Sequence, residues 1–331
     1  MECLGKTTVN FMHGECTSVS LAALGALRVR GADALTFLQG QLSNDVTGLA
    51  PERSLLAGYH NAQGRAIALL RLVQLARDDV LAIVPRELAG SVVQRLTKFI
   101  LRAKVQLADE SPQWLISGIA AAAAPGAASA VTALTTALPG AADGVTRVDG
   151  AIALRLPGPA ARWLLIGVAE HPAVLSRCQP AAPGEWQRLA IAAGEPEVYA
   201  ATSEAFVAQM LNLDVLGAIA FDKGCYTGQE VIARAHYRGR VKRRMQRFLT
   251  AQPAQLQPGD TGVLADGRTF RVVRAVANPD GRCEFLAVTA VATADGADGV
   301  EPAAAPASAA VPAAAVPLSA QRLELPYPLP D

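Results

Sequence analysis

The chain has 331 residues, of which 51% are hydrophobic and 18% charged. This composition provides enough apolar side chains for buried cores and excludes a wholly disordered chain. The formal net charge is +1, so the overall charge gives no indication of nucleic-acid binding, and any such signal must be local. The length is typical of about two domains, or of three small ones.

The N-terminal part alternates between strand and helix patterns. ALRVRG (26–31) predicts a strand, and GADALTFLQGQL (31–42) has apolar residues at helical spacing. Two strands follow, SLLAGYH and RAIALLRLVQLA, joined by a turn at 61–64, and then the strand VLAIVP. An amphipathic helix, RELAGSVVQRLTKFIL (86–101), precedes the strand AKVQLAD. The predicted order is β-α-β-β-β-α-β.

A second, looser set of elements begins near residue 113. WLISGIA predicts a strand and AASAVTALTTAL (127–138) a helix, and three further strands follow: VTRVDG, AIALRL and RWLLIGV. After a proline-rich joint at 180–183, FVAQMLNLD (206–214) is interpreted as a short helical or irregular piece.

From residue 241 the apolar residues alternate, which is typical of antiparallel strands. Asp266-Gly267 and Asp280-Gly281 are dipeptides that favour tight hairpin turns. The pattern predicts a small barrel or sandwich. An Ala/Pro-rich stretch (294–317) is expected to be disordered, and AQRLELPYPLP predicts a last strand.

The chain contains five cysteines, and no two of them are spaced as C-x-x-C. This argues against a disulfide framework and against a closed zinc site, and favours a reduced, cytoplasmic protein. The first residues contain no apolar segment of the kind found in signal peptides, so we expect neither secretion nor a membrane partner.

The segment KGCYTGQEVIARAHYRGRVKRR (223–244) differs from its surroundings. AIAF (218–221) predicts a short strand before it and EVIARAHY a helix within it, with Thr227 and Glu230 spaced as a capping box. Two interpretations of Cys225 are open. It is either a small buried hydrophobe or an accessible thiol, favoured by a helix N-terminus and by Lys223 and Arg234 nearby.

No acidic residue interrupts the chain from Val231 to Arg247, and basic residues are frequent there. These cations either pair with acids elsewhere or form a site for phosphates or carboxylates.

KGCYTGQE (223–230) closely resembles the signature of the YgfZ family of folate-binding proteins, which are related to the aminomethyltransferase of the glycine cleavage system. GADALTFLQGQLSNDV (31–46), AGYHNAQGR (57–65) and the segment 192–230 also resemble that family, in the expected order. The resemblance implies an α+β, aminomethyltransferase-like cloverleaf of three domains around a central folate channel. We expect one ferredoxin-like unit over 18–110 with contributions from 184–240, a second over 111–183, and a small antiparallel β-barrel over 241–331.

The resemblance also implies a function: a folate-binding accessory protein in the maturation of iron–sulfur cluster enzymes, which supports tRNA thiomethylation indirectly. Its expected partners are folate and iron–sulfur enzymes or assembly proteins. A folate-dependent one-carbon transferase or demethylase is one alternative, and a direct tRNA-binding module is another. The transferase branch carries paired aspartates where this chain has Ala68 and Leu69, so a classical aminomethyltransferase is not expected.

The resemblance to the family motif implies that Cys225 and Lys223 are the catalytic residues of this chain. Trp186 matches a tryptophan that lines the folate site in relatives. Polar or aromatic liners of the site are expected at several further positions: Gln41, Asn44, Asp45, Tyr226, Gln229 and Glu230. Arg234 and Arg238 are expected to hold carboxylates of the folate tail. The expected cofactor is tetrahydrofolate or a one-carbon derivative, without a stable metal, because one cysteine cannot complete a cluster site.

Overall fold

The computed structural model describes residues 16–121, 138–168, 174–238, 241–291 and 317–330. Three β-sheets and four α-helices organise these residues, and strands and helices are numbered here in chain order. The helix expected at 127–138 lies outside the described residues except for Leu138, and the Ala/Pro-rich stretch lies outside them except for Pro317. Arg240, one of the basic residues after the 223–230 motif, also lies outside them.

The first sheet has five antiparallel strands in the order β3-β4-β5-β2-β6. Their bounds are β2 (Leu24–Arg30), β3 (Leu55–His60), β4 (Ala66–Ala76), β5 (Asp79–Pro85) and β6 (Gln106–Asp109). Helix α1 (Ala34–Gln39) follows β2, and α2 (Arg86–Thr97) follows β5. The predicted order of elements is confirmed for this part of the chain.

Helix α2 illustrates why the sequence pattern succeeds here. Its buried residues are Leu88, Ala89, Val92 and Leu96, which recur every three or four positions and so form one apolar stripe. The turn at 61–64 between β3 and β4 is also as predicted, with Gly64 at φ 70° and its N–H bonded to the Asn61 carbonyl.

The second sheet has six strands in the order β11-β1-β7-β10-β9-β8. The bounds are β1 (Cys16–Ser20), β7 (Leu115–Ala121), β8 (Val145–Val148), β9 (Ala151–Leu156), β10 (Arg162–Gly167) and β11 (Gln179–Pro180). Strand β1 pairs with β7 and β11, so its residues belong to this sheet rather than to the first one. Helix α3 (Pro183–Ala192) follows β11.

A disulfide joins Cys16 of β1 to Cys178, which are 162 positions apart in the chain. The expectation that no disulfide is present is therefore wrong for this pair. Sequence spacing could not indicate it, because the two cysteines come together only when β1 enters the second sheet beside β11.

The third sheet has five antiparallel strands in the order β13-β14-β15-β12-β16. The bounds are β12 (Arg243–Pro253), β13 (Thr261–Val263), β14 (Thr269–Ala277), β15 (Arg282–Ala290) and β16 (Ala320–Leu323). A bridge from Leu264 to Leu318 links the two ends of this order. The expected turn glycines, Gly267 and Gly281, adopt φ 84° and 81°.

Residues 218–221 do not form the predicted strand. The Ala218 N–H bonds to the Leu213 carbonyl and the Ala220 N–H to the Ser43 carbonyl, without a ladder. Ala218 and Ile219 are nevertheless buried. The apolar residues at 218–221 therefore indicate a buried segment, but that segment is not a strand. Helix α4 (Gln229–Tyr237) follows, as expected.

Candidate functional site

A cleft lies where all three sheets contribute side chains, and it encloses about 800 Å³ counted to its open mouth. Strands β3, β4 and β5 form one wall, β9 and β10 another, and α3 and β14 complete the lining. Its walls are mainly apolar, with Leu56, Leu69, Ile83, Leu156, Leu164 and Trp186 among the lining side chains. Leu69 is one of the two positions where the transferase branch carries aspartates, so an apolar side chain faces the cleft there.

Charged side chains lie on the same walls. Arg71 of β4 pairs with Asp143 (Nη1 to Oδ1, 2.7 Å). Glu195 pairs with Arg162 of β10 at 2.8 Å, and Glu197 lies 3.5 Å from Arg274 of β14. Both glutamates, Arg71 and Arg274 line the cleft. The cleft therefore combines apolar walls with a small set of converging charges.

The two glutamates differ in their ionisation. Burial raises the pKa of Glu197 to about 7, although Arg274 opposes this. Burial acts on Glu195 in the same direction, but Arg162 and two further arginines outweigh it and hold its pKa below the ordinary value. At neutral pH Glu195 is thus a carboxylate, whereas Glu197 is divided between its two forms.

Trp186 of α3 is held firmly in the cleft wall. A Cβ atom at Gly118 would lie only 2.5 Å from the indole Cε3, so only glycine permits this approach of strand β7 to the ring. The guanidinium carbon of Arg162 lies 5.4 Å from the ring centroid, within the range of a cation–π contact.

A second pocket of about 560 Å³ adjoins the cleft. Leu56, Arg71 and Glu195 line both, so the two spaces meet at these side chains. Arg53 lines only the second pocket. The second pocket is the more polar of the two neighbouring spaces.

Lys223 lies outside the cleft lining and makes a different kind of contact. Its Nζ donates to the carbonyl oxygens of Gln39, Leu42 and Asn44 at 2.7, 2.6 and 2.8 Å. All three ammonium protons are thereby engaged. Lys223 fixes the loop after α1 to the segment that carries Cys225.

Two of the three polar residues nominated in that loop form hydrogen bonds with backbone groups of the protein. Asn44 is buried, and its Nδ2 donates to the carbonyls of Leu56 and Gly217. Asp45 caps the 3-10 helix at 46–48 by accepting from the Thr47 N–H. Gln41 differs, because its buried Oε1 has no hydrogen-bond partner among the described residues.

Cys225 is exposed, so of the two interpretations the accessible thiol is confirmed. The predicted capping box is wrong. The cap of α4 is Gly228 at φ 83°, without a side-chain cap, and a Cβ there would lie 2.4 Å from the Asn61 carbonyl oxygen. The chain enters α4 in a left-handed conformation against the 61–64 turn, which leaves Thr227 one position too early to cap.

The remaining nominated residues lie on or beside α4. Tyr226 is buried in the hydrophobic core beside the first sheet, and its backbone N–H donates to Gln229 Oε1 at 3.2 Å. Glu230 forms an exposed ion pair with Arg234 at 2.8 Å, and Arg238 is exposed. None of these lines the cleft or the adjoining pocket.

The first interpretation of the basic run, pairing with acids elsewhere, holds for two of its arginines. Arg244 pairs with Asp214 through two nitrogens at 3.0 and 2.9 Å, and Arg247 pairs with Glu284 at 2.7 Å. Lys242 is exposed, like Arg238. Acids elsewhere therefore pair with Arg244 and Arg247, and an anion site on the exposed cations near α4 stays a prediction.

The structure thus divides the nominated residues between two places. Trp186 is in the cleft, and the others surround the loop after α1 and the start of α4. Sequence reasoning missed the buried Arg162, which pairs with Glu195, and the charged residues that line the cleft: Arg71, Arg274, Glu195 and Glu197. A signal was available, because arginines inside apolar strands such as AIALLRLVQLA are seldom buried without a specific partner.

Within the described ranges, no cluster of three or more histidine, cysteine or acidic side chains is arranged to hold a metal ion. No helix in the described part of the chain has the length and apolar character needed to span a membrane.

Comparison with solved structures finds a protein of the same fold. A glycine cleavage system aminomethyltransferase T from Bartonella henselae superposes with a TM-score of 0.64, covering 84% of this chain and 79% of that one at 14% identity. At this identity the likeness concerns the fold alone. It establishes the α+β, aminomethyltransferase-like architecture.

Sequence comparison identifies closer relatives. A protein named tRNA-modifying protein YgfZ, from Yersinia pseudotuberculosis, is 34% identical over 233 residues, which is 69% of each chain. The protein of the same name from Pectobacterium carotovorum is 33% identical over 261 residues, 77% of each chain. No family model matches the chain. Identity at this level over more than two thirds of both chains, together with the shared fold, makes this protein a member of the YgfZ family.

Proposed function

We propose that this protein binds a reduced folate in the cleft and supports tRNA modification by assisting the maturation of iron–sulfur enzymes. The observation that carries the proposal is the cleft itself, which draws its lining from all three sheets. A pterin needs flat apolar walls and a few converging polar groups. The relatives' name supports the link to tRNA modification.

The lining fits such a ligand in chemical terms. Trp186 and the leucines of β3, β4 and β9 supply apolar surface, and the glutamates and arginines supply polar contacts. The carboxylates of a folate tail need cations. Arg53 and Arg71 line the adjoining pocket, whereas Arg234 and Arg238 line neither space, so we assign the tail to the first pair.

Cys225 has a separate role in this proposal. Its thiol is exposed beside α4 and so is accessible to a partner protein. A complete cluster site normally takes four ligands, so Cys225 would supply one thiolate to a cluster that a partner also holds. The iron–sulfur cluster is cargo here, and tRNA is reached only through the enzymes that receive it.

Calorimetric titration with tetrahydrofolate tests the binding part of the proposal. We expect Trp186→Ala to weaken binding at least tenfold, because it removes a large apolar wall. Cys225→Ala should bind like wild type, because that residue lies outside the cleft. If wild type does not bind tetrahydrofolate, the proposed function is wrong.

Complementation tests the role of the thiol. In a strain that lacks the protein, wild type should restore tRNA thiomethylation and Cys225→Ala should not. Cys283→Ala is the matched control, since that cysteine is buried in the third sheet. Full restoration by Cys225→Ala would show that the thiol is dispensable.

A further inference from the structure

Two glutamates flank Pro196 in the segment after α3, and both line the cleft. Their side chains retain 25% and 15% exposure for Glu195 and Glu197, respectively. They therefore provide carboxyl groups to a cleft whose hairpin wall carries Ala68 and Leu69 instead of the transferase aspartates.

The protein satisfies the two carboxyl groups unequally. Glu195 accepts a charge-assisted hydrogen bond from Arg162 at 2.8 Å. Glu197 accepts from the Val198 N–H at 3.1 Å, and its other oxygen has only Arg274 at 3.5 Å, longer than an ordinary N–H···O bond. Glu197 therefore lacks a short charge-assisted bond of the kind that Glu195 has, and its second oxygen keeps capacity to accept a further hydrogen bond.

A second observation concerns two polar side chains that line the cleft with Glu197. Arg274 lines the cleft with only 6% of its surface exposed, and its Nε has no hydrogen-bond partner. Gln187, also in the lining, has a buried Oε1 without a partner. Buried polar groups are seldom left unpaired in proteins, because desolvation without a partner is costly. Among the described residues, the cleft lining thus contains one buried donor without a partner, one buried acceptor without a partner, and the weakly bonded carboxyl group of Glu197.

We propose that Glu197 accepts hydrogen bonds from the amino and ring N–H groups of a 2-amino-4-oxo heterocycle, while Arg274 donates to the ring carbonyl oxygen. A carboxylate matches the two parallel donors of such a cyclic guanidine edge. Both the pteridine of a folate and the guanine of a nucleotide carry this edge. The choice of the pteridine rests on the proposed function, whereas the assignment of Glu197 does not.

The charges around Glu197 make this contact dependent on pH. Glu195 lies in its own segment, Arg71 approaches from the first sheet and Arg274 from the third, and Tyr199 lies beside Arg274. Burial, which raises the pKa of Glu197 to about 7, outweighs the arginines. The ionised carboxylate accepts the two N–H donors, so binding should weaken as the pH falls through 7.

The test is calorimetric titration of the full chain at pH 8 and pH 6 with tetrahydrofolate and, separately, with guanosine. At pH 8 we expect Glu197→Gln to bind the preferred ligand at least tenfold more weakly than wild type. Wild type should lose about tenfold in affinity between pH 8 and pH 6, as the ionised fraction falls, and Glu197→Gln should lose much less. Glu324→Gln, an exposed carboxyl outside the cleft, is the matched control and should behave like wild type.

A ligand-side experiment keeps the inference testable if Glu197→Gln fails to fold. A pteridine without the 2-amino group should bind wild type at least tenfold more weakly than its parent. Equal binding of the two pteridines, or of wild type and a folded Glu197→Gln, would overturn the inference and leave folate binding standing. Glu197-dependent binding of guanosine without binding of tetrahydrofolate would support the inference and refute the proposed function.

Discussion

At the residue scale, His60 should make the protein sensitive to acid. This side chain is fully buried in β3, and burial lowers its pKa to about 4. Between pH 6.5 and pH 4 the His60 imidazole is protonated in the unfolded chain but neutral in the folded chain. Its contribution to stability is therefore lost as the pH falls from 6.5 to 4. The loss should reach about 3 kcal/mol. Glu197, whose raised pKa acts in the opposite direction over this range, is present in both wild type and His60→Gln, so the measurement compares the two proteins by urea unfolding at pH 7 and pH 4.5. The stability of wild type relative to His60→Gln should fall by about 2 to 3 kcal/mol between the two pH values.

Lys223 also belongs to this scale, because its three carbonyl contacts make it structural. Lys223→Met retains the stem and removes the ammonium, which leaves three carbonyl oxygens without their donor. We expect a loss of about 2 kcal/mol in the free energy of unfolding. Lys242→Met, at an exposed position, should change stability by less than about 0.5 kcal/mol. Equal stability of the two variants would contradict the structural role of Lys223.

At the element scale, the start of α4 depends on a glycine. Gly228→Ala would place a Cβ 2.4 Å from the Asn61 carbonyl oxygen at a φ of 83°. Gly217 provides a matched comparison, since its φ is 64° and no atom lies within 4 Å of an added Cβ. Gly217→Ala should cost about 1 kcal/mol from backbone conformation alone, and Gly228→Ala clearly more, as chemical denaturation would show. Similar losses of stability in the two variants would mean that the turn at 61–64 moves to accommodate the added Cβ at position 228.

Local pattern explains which elements could be predicted. The strands and helices of the first and third sheets follow from alternation, the stripe on α2 and the Asp-Gly turns. The strand at 218–221 and the Thr227 cap could not be excluded from sequence, because both depend on contacts with residues more than 150 positions earlier. Ala220 bonds to the Ser43 carbonyl, and Gly228 packs against the Asn61 carbonyl. Long-range packing overrode two locally reasonable interpretations.

At the scale of the whole molecule, the same limit applies to the site. The motif at 223–230 could be found because its residues are contiguous. The glutamates and arginines of the cleft could not be grouped from sequence, because Arg71, Arg162 and Arg274 lie on strands of three different sheets. Only the folded topology brings them to one place.

The Cys16–Cys178 disulfide should also act on the whole molecule. Closing a loop of this length restricts the unfolded chain, and the loop-entropy description allows up to about 5 kcal/mol of stabilisation. The double variant Cys16→Ser/Cys178→Ser should therefore melt at a lower temperature than wild type. Treatment with a reductant should lower the melting temperature of wild type but leave the double variant unchanged. An unchanged wild type under reductant would contradict a stabilising bond.

The convergence of three sheets on one cleft has a mechanical consequence. A ligand that contacts Arg71, Leu164 and Arg274 at once would bridge all three sheets, since no sheet could separate without breaking its own contacts to that ligand. Binding would then stabilise all three parts together by mass action. Pulling on the ends of the chain should reveal this as one large rupture with ligand bound, in place of several smaller ones without it.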